Sequence, residues 1–178
     1  MPRDRGATSL LQPSELHPSD VAQVPTTEPH APEVTAISDW LVERGLLRAG
    51  FEELVEGFCH RLRAIDVPVW RAFVSAETLH PRIRGMGCSW RADQGLRSDV
   101  YIHRLTPVEA YLRSPFKRML DRGLVHLRVR LDGSEPIEFP LLDELRGEGA
   151  TDYLAQRTWF GHEGESDRKT GVMSSWAT

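Results

Sequence analysis

The sequence contains no asparagine, and its only lysines are Lys117 and Lys169. Its basic charge is therefore almost entirely arginine, a bias typical of a GC-rich genome rather than of one chemistry. It has only two cysteines, Cys59 and Cys88, and no C-x-x-C pair, which excludes a disulfide framework and favours reduced thiols in a cytoplasmic protein. No stretch approaches the roughly 18 consecutive apolar residues that would cross a bilayer.

An excess of positive charge is also lacking. The formal net charge is −4 and the isoelectric point is near 6.0, so no overall field marks a nucleic-acid partner or a membrane surface. Hydrophobic residues make up 40% and charged residues 27% of the 178 residues, as in ordinary globular proteins. This length accommodates one domain and a tail.

The tail is predicted at residues 1–35. Half of the 12 prolines lie there, and the scattered apolar residues show no period. Such a segment buries too little apolar surface to offset its ordering entropy, so we predict a disordered, proline-rich leader followed by a domain at residues 36–178.

Two helices are predicted at the start of the domain. In the first, Ser38 is the expected N-cap and Gly45 lies just past the end. The second carries one apolar face with the spacing of three, four and seven residues that is typical of a packed helix. That face consists of Phe51, Leu54, Val55, Phe58, Leu62 and Ile65.

Alternating patterns then predict strands at residues 69–76, 86–92 and 97–103, the last two joined by a turn at residues 93–95. Thr106 and Ser114, each followed by proline, predict two helix starts. A strand at 124–131 places Val125, Leu127, Val129 and Leu131 on one face. A short helix at 140–146 and strands at 153–160 and 171–177 complete an α+β domain with a mostly antiparallel sheet.

This element order resembles that of GAF-type sensor domains, with a PAS-type domain as the alternative. Several phrases are also similar to the N-terminal sensor region of class III adenylate/guanylate cyclases from alphaproteobacteria. They are ISDWLVERGL (37–46), FCHRL (58–62), PVWRAFVSAETLHPRIRGMGCSW (68–90), YLRSPFKRMLDRG (111–123), FPLLDELRGEGATDYLA (139–155) and SSWAT (174–178). The resemblance implies a regulatory sensor domain that forms a homodimer and is followed, beyond Thr178, by a nucleotide cyclase domain.

No catalytic activity is expected of the chain itself. Class III cyclases need two aspartates that hold two metal ions on the triphosphate, and no segment resembles their motif. A glycine-rich phosphate loop is also missing, and no serine near a histidine lies in a nucleophile motif. The expected function is therefore regulatory, through a small ligand or a partner. The alternative is a protein-interaction module without a small-molecule ligand.

The predicted ligand site is a mainly apolar pocket with a few polar groups, although such aromatic residues also form plain cores. Its candidate residues are Trp70, Arg84, Cys88, Trp90, Tyr101, His103, Phe116, His126 and Tyr153, with Met119 beside them. The two N-terminal helices are the predicted dimer face.

Three other chemistries have weaker support. Cys88, His80, His103 and His126 could bind heme or a metal, but their spacing matches no signature. Six arginines around the middle hairpin could bind an anion or form a solvated face; they are Arg82, Arg84, Arg91, Arg97, Arg104 and Arg113. The segment from Phe139 to Asp143-Glu144 matches half of a cyclic-nucleotide pattern whose other half needs asparagine. The sequence thus requires no cofactor.

Overall fold

The computed structural model describes residues 31–78, 82–102, 109–160 and 171–178. Within these ranges the helices are α1 (Ala31–Leu46), α2 (Phe51–Ala64), α3 (Glu109–Leu112), α4 (Pro115–Arg122) and α5 (Pro140–Gly147). The strands are β1 (Arg71–Glu77), β2 (Ile83–Arg91), β3 (Gly95–Ile102), β4 (His126–Arg130), β5 (Asp152–Trp159) and β6 (Gly171–Ala177). Among the helices described, none is long and apolar enough to cross a membrane.

The strands form one six-stranded sheet in the order β3-β2-β1-β6-β5-β4, and every neighbouring pair is antiparallel. Strands β1, β2 and β3 form one half of the sheet, and β4, β5 and β6 form the other. The halves join where β1 pairs with β6, with Ala72 opposite Trp176. The predicted α+β class with an antiparallel sheet and helices on its faces is confirmed at this level.

One face of the sheet is covered by α2 and is called the α2 face. Val55 and Cys59 of α2 pack there against Val74, Cys88 and Trp90 of the sheet. The apolar spacing predicted for this helix is confirmed, since α2 begins at Phe51 and buries one side. The charged residues of its other side lie in solvent, so burial orients the helix.

The opposite face, called the α5 face, is covered by α4 and α5. Leu142 and Leu145 of α5 and Met119 of α4 pack against Tyr153 and Ala155 of β5. Ser114 caps α4 by accepting a hydrogen bond from the Lys117 amide at 3.2 Å, and Gly123 ends the helix with φ of 64°. The Ser114 cap was predicted from the sequence. Ser114-Pro115 and Gly123 are thus the local signals that place α4 over the sheet.

The prediction for α1 was wrong at its start. Ser38 lies in the middle of the helix, where its hydroxyl donates to the Val34 carbonyl oxygen at 3.0 Å. A mid-helix serine satisfies itself in this way as readily as it caps a helix. Residues 31–35 are therefore helical, and only residues 1–30 of the predicted leader lie outside the described residues.

Two further predictions can be compared with the strands. Leu127, Val129 and Leu131 pack into the core as predicted, but the side chain of Val125 is 61% exposed because β4 begins only at His126. The turn between β2 and β3 is confirmed, with Gly95 at a φ of 76° that suits glycine. The predicted helix start at Thr106 and the polar loop at 161–170 lie outside the described residues.

Candidate functional site

Cys88 and Trp90, two of the predicted ligand-site residues, lie on the α2 face. Both are buried in the core, and Trp90 meets the His60 ring edge-on at 5.7 Å. Burial raises the pKa of Cys88, and nearby Glu52 and Asp99 raise it further, so the thiol stays protonated. The Trp90 indole N–H is buried without a hydrogen-bond partner among the described residues.

Tyr101, Phe116 and Tyr153 lie on the α5 face. Phe116 of α4 meets Phe73 of β1 at 5.9 Å between ring centroids. Tyr153 is almost fully buried, whereas Tyr101 is 39% exposed on the edge strand β3. A pocket on this face could draw on these three residues, but not on Cys88 or Trp90.

The remaining predicted residues are more scattered. His126 is exposed on β4, which is four strand spacings, or roughly 19 Å, from Cys88 on β2. Trp70 precedes β1 and packs against the α5-face core. His80, His103 and Arg104 lie outside the described residues, as does the side chain of Arg84. Within the described residues, the predicted ligand residues therefore do not line one common pocket.

Tyr101 lies over Gly87 of β2, where the strand has no side chain on this face. A Cβ atom on Gly87 would lie 2.8 Å from Tyr101 Cε2 and 3.2 Å from Phe73 Cζ. Gly87 therefore allows both rings to lie close to the sheet. Burial raises the pKa of the Tyr101 hydroxyl, and Asp99 raises it further, so this group is a neutral donor at ordinary pH. This half-exposed aromatic surface is the part of the predicted site best placed to meet a ligand.

A group of polar residues lies farther along the α5 face; Arg91 and Tyr153 were among the predicted site residues, whereas Arg71 was not. Pairing aligns Arg91, Arg71, Ala177 and Tyr153 side by side across β2, β1, β6 and β5. Arg71 Nη1 is buried without a hydrogen bond, and Arg71 makes no side-chain hydrogen bond or ion pair within the described ranges. Burial lowers the pKa of Arg71, as expected for a guanidinium removed from water.

Tyr153 adds a second buried donor to this group. The residue is 1% exposed, and Tyr153 Oη has no hydrogen bond of normal geometry among the described residues. Burial raises the pKa of Tyr153, while the approach of the Ser175 hydroxyl and the charge of Arg71 act in the opposite direction. The tyrosine is thus a neutral hydroxyl beside an uncompensated positive charge.

Arg91 borders the group and is only partly neutralised. Its Nη2 lies 2.7 Å from Glu148 Oε2 at the end of α5, and its guanidinium stacks 4.7 Å from the Trp70 ring centre. Arg91 Nε has no hydrogen bond, and its nearest acid, Asp93, is 3.7 Å away. Glu148 is therefore the principal carboxylate for two arginines, since it also raises the pKa of Arg71.

Two surface concavities lie away from these residues. The larger, of about 570 Å³, is an open groove between α1 and α2 lined by Trp40, Arg44, Glu53, Glu56, Gly57, His60 and Arg61. In it Arg61 stacks on Trp40 at 3.6 Å, and Arg44 pairs with Glu53. The smaller, of about 290 Å³, lies beside α4 and is lined by Leu112, Arg113, Ser114, Arg118, Asp121, Glu138 and Phe139. Arg113, a member of the predicted anion group, lines this smaller concavity.

Metal and cyclic-nucleotide sites gain no support from the geometry. The described residues contain no group of three or more His, Cys, Asp or Glu side chains that could hold a metal ion. In the half match to the cyclic-nucleotide pattern, Phe139 is buried in the core and Asp143 accepts a hydrogen bond from Arg146 at 2.5 Å. These two residues therefore have structural roles at the start of α5.

Comparison of the chain with protein-family models, with curated proteins and with solved structures finds no match.

Proposed function

We propose that this chain is a non-catalytic regulatory domain of a bacterial nucleotide cyclase signalling protein, cytoplasmic and active as a homodimer. The resemblance of its sequence to cyclase sensor regions supports an association with a nucleotide cyclase. We also propose that its helices and strands are arranged as in GAF-type sensor domains. The observation that carries the dimer is a row of residues along α1 at spacings of four. It consists of Val34, Ser38, Val42 and Leu46.

This α1 ridge lies in solvent, and three of its four residues are apolar. Val34, Val42 and Leu46 are 45%, 63% and 80% exposed, and Leu47 just beyond them is 65% exposed. Rows at this spacing are the ridges that pack into the grooves of a second helix. Exposed apolar residues grouped in this way mark an interaction site, and a second copy of α1 presents a matching ridge about a twofold axis.

The dimer is tested by measuring molar mass with light scattering across a concentration series. Wild type is expected to form dimers, and the double variant Val42→Glu/Leu46→Glu to run as a monomer because it places charges in the contact. Ala36→Glu, which adds a charge at an exposed position off the α1 ridge, is the matched control and should remain dimeric. A strictly monomeric wild type at high concentration would refute the dimer.

The sensor half of the proposal rests on the half-exposed aromatic surface where Tyr101 and Phe73 lie over Gly87. A screen of small molecules by thermal shift should find compounds that raise the melting temperature of wild type and act less on Tyr101→Ala. Ser98→Ala, which changes an exposed residue of the same strand on the other face, is the control.

A protein-interaction module without a small-molecule ligand is the second candidate. It is favoured by the burial of Trp90, Met119 and Tyr153, which fill both faces of the sheet with side chains. If no compound in the screen alters the melting temperature while the dimer persists, this second function is the one retained.

A further inference from the structure

Strand β3 forms one edge of the six-stranded sheet, and within the described residues nothing pairs with its outer side. Five consecutive residues of the strand, 97–101, are exposed. Among them Val100 is 62% exposed, and its partner on β2, Met86, is 37% exposed. An edge strand presents unpaired backbone N–H and C=O groups to an incoming strand. The β3 edge is therefore a surface on which the sheet can be extended by another strand.

Two opposite charges lie on the α5 face of β3. Arg97 and Asp99 are two positions apart, so their side chains lie on the same face of the strand. Both are exposed, and neither makes a side-chain hydrogen bond or ion pair within the described residues. The pair attracts a strand that carries the same two charges in the reverse order. In antiparallel pairing, a second copy of β3 presents that reverse order.

We propose that β3 pairs with β3 of a second copy of this chain, antiparallel and with Ser98 on the twofold axis. This register places Arg97 of each copy opposite Asp99 of the other, which gives two cross-strand ion pairs on the α5 face. On the α2 face it places Leu96 of each copy opposite the exposed Val100 of the other. The contact thus satisfies both charges and covers an apolar side chain of the edge.

Symmetry leaves few other registers. In an antiparallel pair about a twofold axis, one residue meets its own copy, and directly opposite side chains lie on the same face. An axis at Arg97 or at Asp99 sets like charges against each other, which is unfavourable. An axis at Leu96 or at Val100 leaves both charges without an opposite one. The axis at Ser98 is therefore the position along the middle of the strand that pairs both charges.

The other edge of the sheet differs in its charges. Strand β4 carries Arg128 and Arg130 on one exposed face, and each is already paired with an acid of its own chain, Asp152 and Asp132. A second copy of β4 about an axis at Arg128 would set basic side chains against each other. Charges of this kind protect an edge strand from pairing. The charge pattern therefore selects β3 rather than β4 as the edge that pairs with its own copy.

The β3 contact is separate from the α1 ridge and depends neither on it nor on the cyclase context. Two edge strands bury less than the roughly 1,200 Å² of a stable interface. We therefore expect a weak contact, with a dissociation constant on the order of 0.1–1 mM. At the lower concentrations that suffice to measure the α1 ridge contact, it leaves the molar mass unchanged.

Disulfide trapping of Ser98→Cys is the test, because this position meets its own copy in the proposed register. Directly opposite residues have Cα atoms about 4.5–5.5 Å apart, which a disulfide can span. Cys59 and Cys88 are buried and should not contribute. Oxidation by air with a copper catalyst should give a covalent dimer on a non-reducing denaturing gel. Since the gel dissociates a non-covalent dimer, the result does not depend on the α1 ridge.

Val100→Cys is the matched control, since it changes an exposed residue on the same face of the same strand. In the proposed register its own copy lies four residues away along the strand, roughly 14 Å, which is beyond the reach of a disulfide. Ser98→Cys should therefore be trapped several-fold faster than Val100→Cys. Equal rates would overturn the pairing, and they are the result expected if another protein or residues 1–30 of the chain occupied the edge.

Charge reversal tests the register. Adding Asp99→Arg to Ser98→Cys sets Arg97 against an arginine of the other copy and should slow trapping about tenfold. The further change Arg97→Asp exchanges the two charges, restores the opposite pairs and should restore the rate. Both positions are exposed, so the fold should tolerate these changes. An undiminished rate with Asp99→Arg, or a triple variant that is trapped no faster than the Asp99→Arg variant, would overturn the register.

Discussion

The thiol of Cys59 shows how completely α2 seals one face of the sheet. Its side chain is fully buried, and burial raises its pKa to about 12, opposed only by a backbone hydrogen bond and reinforced by Glu56. Cys88 is equally buried, and its pKa is also raised. Because the thiolate is the reactive form, neither residue is suited to redox or nucleophilic chemistry.

We expect both thiols to be inert to a thiol reagent in the native protein at pH 8 and both to react after denaturation. Ser98→Cys, at an exposed position on β3, should add one rapidly reacting thiol and serves as the control. The raised pKa values also fix the pH effect. The unfolded thiols ionise near pH 8.5 while the folded ones do not, so stability should fall as the pH rises above about 8.5. Rapid labelling of native wild type would contradict this prediction.

Arg71 shows what the sequence could not predict at this scale. The strand predicted at residues 69–76 begins only at Arg71, but from there its alternation puts Arg71 on the face opposite Ala72 and Val74, as the structure does. Its burial depends on α5 and β5, which come some 70 residues later in the chain. Alternation assigns a residue to a face, but it does not say what covers that face.

At the scale of elements, glycine controls how closely α1 and α2 approach. A Cβ on Gly57 of α2 would lie 2.7 Å from Trp40 Cζ2 of α1, and Arg61 stacks on the same indole. Glycine ordinarily weakens a helix by up to about 1 kcal/mol relative to alanine. Here it permits the contact that holds Trp40.

Gly57→Ala should therefore lower the melting temperature, despite its better helix propensity, and should shift the fluorescence of Trp40 towards that of an exposed indole. Gly147→Ala in α5 is the matched control, because nothing lies within 4 Å of the added Cβ. It should be neutral or stabilise the protein by about 0.5–1 kcal/mol. A Gly57→Ala protein that is more stable than wild type would show that α1 does not need this contact.

The pairing of β4 with β5 includes an ion pair that titrates in acid. Hydrogen bonds from Arg128 hold the pKa of Asp152 below its usual value, although burial opposes the shift. A carboxyl with a lowered pKa contributes stability above the unfolded pKa of about 4, and that contribution is lost as the pH falls through the folded pKa. The pair lies at the edge of the sheet, and Arg128 is 62% exposed, so its contribution is modest.

Asp152→Asn should therefore be less stable than wild type at pH 7, and the difference should shrink as the pH falls below about 4, the unfolded pKa of an aspartate. Urea denaturation at several pH values measures this. Thr158→Ala, at an exposed position of the same strand, should show no such pH dependence. An unchanged difference between wild type and Asp152→Asn across that range would show that the hydrogen bonds of Asp152, rather than its charge, matter.

Elements with strong periodicity were predictable, and their ends were less so. The apolar spacing of Phe51, Val55 and Leu62 predicted the position of α2. The assignment of Ser38 as an N-cap, in contrast, put the predicted start of α1 at the wrong residue. The order of strands could not be predicted, because the pairing of β1 with β6 joins residues about 100 positions apart. For the same reason the predicted ligand residues Cys88 and Tyr101 were assigned to one pocket, although they lie on opposite faces.

At the scale of the whole molecule, two cores share one sheet. The α2-face cluster contains Trp176 and the α5-face cluster contains Ala177, so adjacent residues of β6 belong to different cores. The central strands β1 and β6 thus cannot lose one core without disturbing the other. A domain of this size normally unfolds in one step, and the shared strands give a structural reason to expect it here.

We expect Leu142→Ala, in the α5-face core, to destabilise the protein by about 2–5 kcal/mol. Val55→Ala, in the α2-face core, should cost about 1.6 kcal/mol for two buried carbon groups. In both variants the unfolding curves from tryptophan fluorescence and from circular dichroism should coincide, because each mutation weakens a single cooperative unit. Separate transitions in either variant would show that the two halves of the sheet unfold independently.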